Sequence, residues 1–437
     1  MVNYNPLHRL GALYIKSNFL FGVLLVIFML GCAPKRRLVK QIHAQLTPTP
    51  SMTHFSGLYV IDAVTGESVF SQHADKSFTP ASVTKVFTLY AALRELPEFV
   101  PALRIGYSGD TLFISGTGDP ASLHPDLKDS TAVQFIRSGT TVISIPAPFK
   151  DAAWGPGWSW EDYDQYYSPD RSTMPIYGNI VRMRRIGDSL AVSPKLLSDS
   201  IREDKGIFAR QLHRNLFSRV PESEDTLDVP FISNPDLELK LWSAATGKTI
   251  SKGSWPAPIP LKNLPGISRD SLCRRMMQVS DNFLAEQLML LVSAQLGDTL
   301  GFTIARNHLL ETSLKNLPQP PRWVDGSGLS RYNLFTPRTV VYLLKQLYAE
   351  IPESRLFNLM AVGGGNGTLR QWQNNAESPY LYGKSGSMGG VQNLCGYLKT
   401  RAGRTLIFAF MNNHITGPSL PVKERMHGII QHIYQTY

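Results

Sequence analysis

Two side chains three residues apart carry the first chemistry. Ser82 and Lys85 lie in Phe78-Thr79-Pro80-Ala81-Ser82-Val83-Thr84-Lys85, which runs into the apolar Val86-Phe87-Thr88-Leu89-Tyr90. That spacing puts both on one helical face, with Thr79 suited to the N-cap and Pro80 to the first helical position. Apolar neighbours bury the lysine. Burial lowers an ammonium pKa, and a neutral amine can take the proton of an adjacent hydroxyl. Ser82 Oγ is then an activated nucleophile. A second cluster, Ser280-Asp281-Asn282, falls between a helical stretch over 270–279 and another from Phe283 onward, so its short polar side chains occupy a helix–helix corner. A third, Lys384-Ser385-Gly386-Ser387, sits in a strand facing a cleft. Lys384 and Ser385 offer a cation and a hydroxyl to a carboxylate, and Gly386 lets backbone approach a bound molecule. Each cluster alone is what a polar helix surface, a capping loop or a turn would show. In this order they supply an activated serine, a second hydroxyl with an amide, and a carboxylate anchor, which is what acyl transfer needs.

The elements that must position them are legible in outline. Gly57–Asp62 turns at Thr65-Gly66 and returns through Ser68-Val69-Phe70, a hairpin pattern. Ser82 and Ser280 are 198 residues apart, which leaves room for an insertion containing alternating stretches such as Thr111-Leu112-Phe113-Ile114-Ser115. The 437 residues, 43% hydrophobic and 18% charged, describe a globular chain of more than one domain's length. The net charge of +10 is spread along the chain, with Lys35-Arg36-Arg37 as its basic run, so it reads as a solvated surface and excludes a nucleic-acid partner. No HExxH or comparable ligand spacing exists among the ten histidines, so neither a metal nor another cofactor is expected. Trp154, Trp158 and Trp160 read as packing of the insertion, with sugar stacking as the alternative.

Arg9 and Lys16 precede the 12-residue apolar run Phe19–Leu30, too short to span a bilayer but suited to a signal-peptide core. Met29-Leu30-Gly31-Cys32 follows and resembles a bacterial lipobox, with Cys32 the lipid attachment point and the mature N-terminus. Residues 1–31 are then a removed signal and 32–50 a flexible tether. The expected location is periplasmic and lipid-anchored, with the outer membrane favoured over the inner. Cys273 and Cys395 are left as either buried thiols or a disulfide.

The three clusters match the S-x-x-K, S-D-N and K-T-G set of penicillin-binding proteins and class A β-lactamases. Further segments resemble the low-molecular-weight class C penicillin-binding proteins, the D-alanyl-D-alanine carboxypeptidase/endopeptidase family (peptidase S13). These are Gly116-Thr117-Gly118-Asp119-Pro120, Gly155-Pro156-Gly157-Trp158-Ser159-Trp160-Glu161-Asp162, Asp325-Gly326-Ser327-Gly328-Leu329-Ser330-Arg331 with Thr336-Pro337-Arg338, and Asn366-Gly367-Thr368-Leu369-Arg370. The resemblance implies that Ser82 is acylated by the penultimate D-Ala carbonyl of a peptidoglycan stem peptide, with Lys85 as base. Ser280 would relay a proton to the leaving D-Ala, Asn282 would bind the substrate amide, and Lys384 and Ser385 would hold the terminal carboxylate. The backbone N–H groups of Ser82 and Ser387 would form the oxyanion hole, and β-lactams would trap Ser82. Ser385 departs from the family's usual threonine, keeping the hydroxyl without the methyl.

The fold this implies is mixed α/β (α+β): a serine β-lactamase/transpeptidase-like domain from residues 51–100 and 256–437, with a β-rich domain over 101–255 inserted between the first two motifs. Its antiparallel sheet would join the N-terminal hairpin to strands around 382–414 and carry helices on both faces. Two other functions use the same residues: a β-lactamase, which would need a deacylating glutamate in an ExxLN-like loop that is not found between Asn282 and Lys384, and a catalytically weak wall-binding lipoprotein.

Overall fold

Burial in two consecutive strands sets the architecture. A computed structural model describes residues 38–46, 54–202, 208–218, 225–256, 259–372 and 378–437. In β13 (Val391–Lys399) and β14 (Thr405–Asn413) nearly every residue is buried, as in strands covered on both faces. Cys395, Tyr397, Ile407 and Ala409 face one core, whereas Leu394, Leu398, Leu406, Phe408 and Phe410 face another. That is the two-residue period of a strand sorting side chains between two layers. The six-stranded antiparallel sheet runs β11-β12-β13-β14-β1-β2, with β1 (Phe55–Asp62), β2 (Ser68–Gln72), β11 (Ala361–Val362) and β12 (Leu381–Met388). The N-terminal hairpin joins it through β1 and β14, in register from Phe55 opposite Asn413 to Asp62 opposite Leu406.

One face of the sheet carries α2 (Lys85–Glu95), α5 (Arg269–Gln278), α6 (Asn282–Leu296), α7 (Phe302–Glu311), α8 (Pro337–Glu350) and α9 (Glu353–Leu359). α6 is apolar nearly all round and accordingly buried. Asp281 starts it by accepting from the Leu284 amide at 3.0 Å. α8 opens the same way, with the Thr336 hydroxyl accepting from the Thr339 amide at 3.1 Å and Pro337 in the first turn.

The other face carries α10 (Leu420–Thr436) and α1 (38–46). α1 corrects the flexible tether expected over 32–50. Its Leu38, Ile42 and Leu46, spaced four apart, are 1%, 0% and 2% exposed against the sheet. Three fully buried residues among nine, with Val39 packed beside them, give a narrow stripe that the polar residues around it obscure. The signal segment, Cys32 and the remainder of that stretch lie outside the described residues. Among the described residues no helix is long and apolar enough to cross a membrane.

The inserted stretch forms two further sheets. One runs β10-β3-β4-β5-β9, built from β3 (Phe99–Ser108), β4 (Thr111–Gly116), β5 (Thr141–Ser144), β9 (Ile250–Lys252) and β10 (Lys262–Ser268). β5 pairs in parallel with both β4 and β9. α3 (Thr131–Ser138) and α4 (Pro235–Thr246) share a core with it around Trp242 and Ile136. The third sheet is the antiparallel β7-β6-β8, from β6 (Ile180–Ile186), β7 (Ser189–Ser193) and β8 (Thr226–Pro230). β10 lies past residue 256, yet it pairs with β3. It is a half-exposed edge strand broken by Pro265, which hides it from an alternation pattern.

Candidate active site

Ser82 sits on a single 3-10 turn, Ala81–Thr84, and α2 begins only at Lys85. Pro80, not Thr79, precedes the turn, and no side chain caps it. The sheet holds it instead. Asn393 Nδ2 donates to the carbonyls of Thr79 and Pro80, each at 2.9 Å, and Asn413 Oδ1 accepts from the Thr79 amide at 2.6 Å. Both asparagines are buried. Ala81 is held at φ +47°, a left-handed conformation that costs a non-glycine residue about 1–2 kcal/mol and persists only where its surroundings over-determine it. Two glycines close around it. A Cβ on Gly328 would lie 1.9 Å from the Ala81 carbonyl oxygen, and one on Gly386 would lie 2.6 Å from that of Pro80. Gly386 is therefore required by the serine turn, rather than by the bound molecule for which its sequence position suggested it.

Lys85 is fully buried. Its Nζ lies 3.0 Å from Ser82 Oγ, and it donates to Asn282 Oδ1 and to the Ser327 carbonyl, both at 2.6 Å. Burial lowers its pKa to about 8, while the carboxylates of Asp325, Glu286 and Asp281 oppose the shift. A neutral amine keeps its two N–H groups on Asn282 and Ser327 and turns its lone pair to Ser82. Asn282 is itself fixed, because its Nδ2 donates to the Tyr167 carbonyl at 2.9 Å.

Ser280 occupies the corner between α5 and α6 with φ +65°, a second left-handed non-glycine residue in the cleft. Lys384 Nζ, from β12, donates to Ser280 Oγ at 2.9 Å and to the Ser385 carbonyl at 2.7 Å. Burial and the neighbouring Lys85 cation push its pKa far below that of a free lysine. Ser385 Oγ donates to Thr368 Oγ1 at 2.8 Å, and Ser387 Oγ donates to Gln392 at 2.9 Å. β11 covers β12 only at Tyr382 and Gly383, so residues 384–388 form an open edge beside the serine turn. These side chains meet a cleft of about 720 Å³ lined by Ser82, Ser280, Asn282 and Ser387 on the sheet and helix side and by Asp162 and Tyr167 from the insertion.

The sequence profile of the D-Ala-D-Ala carboxypeptidase 3 (S13) family matches residues 38–202 and 270–432. The chain belongs to this family. It is a serine-peptidase-type hydrolase, with the carboxypeptidase family's mixed helix and antiparallel-sheet fold. Carboxypeptidase DacB of Mycolicibacterium smegmatis is 26% identical, over 88% of this chain and 82% of its own. A D-alanyl-D-alanine carboxypeptidase of an Actinomadura species is 26% identical, over 83% and 78%. The crystal structure of penicillin binding protein 4 (dacB) from Haemophilus influenzae superposes with a TM-score of 0.69 at 19% identity, covering 91% of this chain and 99% of that one. A second structure of that protein, in complex with a β-lactam, superposes with a TM-score of 0.65 at 17% identity, over 91% and 99%.

All eight residues singled out from sequence in the three clusters thus lie around one serine turn, and Cys32 lies outside the described residues. Four contributors carried no signal of their own: Ser327, Thr368, Tyr167 and Glu286. The first two fall inside family-like segments, whereas Tyr167 acts through its carbonyl, which no side-chain pattern reports. Trp154 and Trp158 are tied in by hydrogen bonds to Asp170 and Asp325 at 2.8 and 3.0 Å, whereas Trp160 is 58% exposed. Cys273 and Cys395 are separate buried thiols, each pushed up to about 12 by burial, which settles the pair against a disulfide. Among the described residues no group of His, Cys, Asp and Glu side chains is gathered to hold a metal ion.

Proposed function

We propose that the chain removes the terminal D-Ala from peptidoglycan stem peptides through an acyl-enzyme at Ser82. The 3.0 Å approach of Lys85 Nζ to Ser82 Oγ, with the other two Lys85 donors taken by Asn282 and Ser327, carries this reading. Neutral Lys85 takes the hydroxyl proton as Ser82 attacks the penultimate D-Ala carbonyl. The backbone N–H groups of Ser82 and Ser387 receive the developing oxyanion, an arrangement whose single donors are typically worth about 3 kcal/mol. Because Lys384 donates to Ser280 Oγ, the Ser280 proton is free to pass to the leaving amine, and Lys85 restores it. Lys384 and the Ser385 hydroxyl hold the terminal carboxylate. Water then hydrolyses the ester by the reverse proton path. β-Lactams, which present a strained amide to the same serine, acylate it in place of the stem peptide. The names of the relatives and the β-lactam complex of the Haemophilus protein support this assignment.

The catalytic unit is the six-stranded sheet with its helices, into which the stretch between β3 and β10 is inserted. We also read Cys32 as the lipidated N-terminus on the periplasmic side of a bacterial membrane, the outer one by preference. Radiolabelled palmitate incorporation that disappears in Cys32→Ser tests this, and labelling that survives refutes it.

The activity is tested by incubating the purified chain with an N-acylated pentapeptide ending in D-Ala-D-Ala and assaying free D-Ala. Release that is abolished in Ser82→Ala is expected. If uncrosslinked pentapeptide is inert while cross-linked dimers are cut, the enzyme is an endopeptidase. Rapid turnover of penicillin without D-Ala release would assign it as a β-lactamase, and inertness towards all three substrates would refute an enzymatic role.

A further inference from the structure

A buried ion pair lies one residue removed from Lys85, and the proton path above does not use it. Glu286, on α6, and Arg171, on the inserted stretch, have side chains only 1% and 3% exposed. Glu286 Oε2 accepts from Arg171 Nε at 3.0 Å and Nη2 at 2.6 Å, while its Oε1 accepts from the Ser327 amide at 2.7 Å. The carbonyl of that same Ser327 receives Lys85 Nζ. One residue therefore separates the carboxylate from the lysine, the glutamate holding its N–H and the lysine its carbonyl. Arg171 is itself braced, 3.5 Å from Asp151 and with its guanidinium over the Trp158 ring.

The arrangement meets two conflicting needs. A carboxylate is useful here because it fixes the Ser327 backbone, and through it one of the two acceptors that orient the Lys85 amine. The same carboxylate, unpaired, would hold Lys85 as an ammonium ion, which has no lone pair for the Ser82 proton. A guanidinium bound side-on through two N–H groups cancels that charge without titrating.

We propose that Arg171 and Glu286 form a positioning pair that sets the proton affinity of Lys85, so that the inserted stretch tunes the base of a cleft built mainly by another part of the chain. The other charged groups facing Lys85 are Asp325, Asp281 and Lys384. Asp325 accepts from the Ser330 and Gly328 amides, Asn333 and Trp158. Asp281 is paired with Arg275 at 3.0 Å. Glu286 is thus the carboxylate among them whose charge the inserted stretch cancels with an arginine.

The proposal rests on Lys85 acting as the base, and its test separates the two ideas. The rate of Ser82 acylation by a fluorescent penicillin is followed from pH 6 to 10 for the intact chain, Arg171→Gln, Glu286→Gln and the double variant. Glu286→Gln removes a charge that favours the ammonium form, so its rising limb moves to lower pH. Arg171→Gln exposes that charge, so its limb moves to higher pH. Each shift is expected to be about one pH unit, close to a tenfold change in rate at the foot of the limb, and the double variant returns near the parent. Damage to packing alone lowers rates without moving the limbs in opposite directions. Limbs that stay together, or that move the same way, overturn the proposal. A single variant that does not fold leaves the double variant, which removes both partners of the Arg171–Glu286 pair; a limb there displaced by a full unit also overturns it. If the parent shows no rising limb at all, the general-base reading of Lys85 fails and the proposal falls with it.

Discussion

Asn393→Leu should cripple acylation by releasing the serine turn while leaving every reacting group in place. Asn393 is fully buried on β13. Its Nδ2 holds the Thr79 and Pro80 carbonyls, and its Oδ1 accepts from the Asn412 amide at 2.9 Å. Leucine has similar bulk and none of these partners, so three backbone groups lose a hydrogen bond. Thr79 keeps a longer bond of 3.2 Å from Asn413, and Pro80 keeps one of 3.2 Å from the Val83 amide, which leaves Asn412 as the main loss. At about 1–3 kcal/mol for a buried unsatisfied group, the loss is about 1–3 kcal/mol. Some of it should be recovered as Ala81 relaxes from φ +47°, a conformation whose strain is about 1–2 kcal/mol. That relaxation moves Ser82 away from Lys85, and a displacement of about 1 Å at a reacting atom costs about 10²-fold in rate. The assay is stopped-flow acylation by a fluorescent penicillin beside urea unfolding of the same preparation. A stability loss of about 1–3 kcal/mol with acylation slowed about 100-fold is expected. A destabilised variant that acylates at the parent rate would refute the idea that the sheet holds the serine turn in its reactive geometry.

Other outcomes follow from the same contacts. Acylation by the parent should rise with pH through about 8, because burial lowers Lys85 to that value and only the neutral amine accepts the Ser82 proton. At pH 6 the rate should be about 100-fold below its plateau, which a pH–rate profile checks. The same depressed pKa leaves the unfolded chain binding more protons between about 8 and 10.5, so Lys85 adds to stability as pH rises through that window. Ser385→Ala should lower kcat/KM for a D-Ala-D-Ala peptide about 10- to 100-fold by removing a hydrogen bond to a charged group, whereas Ser385→Thr should retain activity; steady-state kinetics decide. Ile42→Ala should cost about 2–5 kcal/mol in urea unfolding, with acylation of the folded fraction unchanged. In the chain lacking residues 1–37, iodoacetamide should modify no thiol under native conditions and both Cys273 and Cys395 once the chain is unfolded, read by intact mass.

The three polar clusters were legible in sequence because acyl transfer needs particular side chains, and spacing alone put Ser82 beside Lys85. The long buried strands and the N-terminal hairpin were legible for a related reason, since a two-residue period survives any amount of intervening chain. What escaped was carried by backbone or by partners remote in sequence. Ser82 and Lys85 fit a helical spacing, yet a 3-10 turn with a left-handed Ala81 presents the serine. Its restraint comes from Asn393 and Asn413, more than 300 residues away. Tyr167 and Ser327 act through their carbonyls, and Arg171 acts through a glutamate on α6, a pairing no local pattern encodes. α1 was hidden by the narrowness of its buried stripe and β10 by exposure.

The central claim is that Ser82, activated by Lys85, forms the acyl-enzyme. Its most direct test is intact mass after incubation with labelled penicillin, followed by peptide mapping. One long-lived adduct per chain is predicted, on the peptide containing Ser82, absent in Ser82→Ala and strongly slowed in Lys85→Ala. An adduct that persists in Ser82→Ala, or that maps to another residue, would contradict the account.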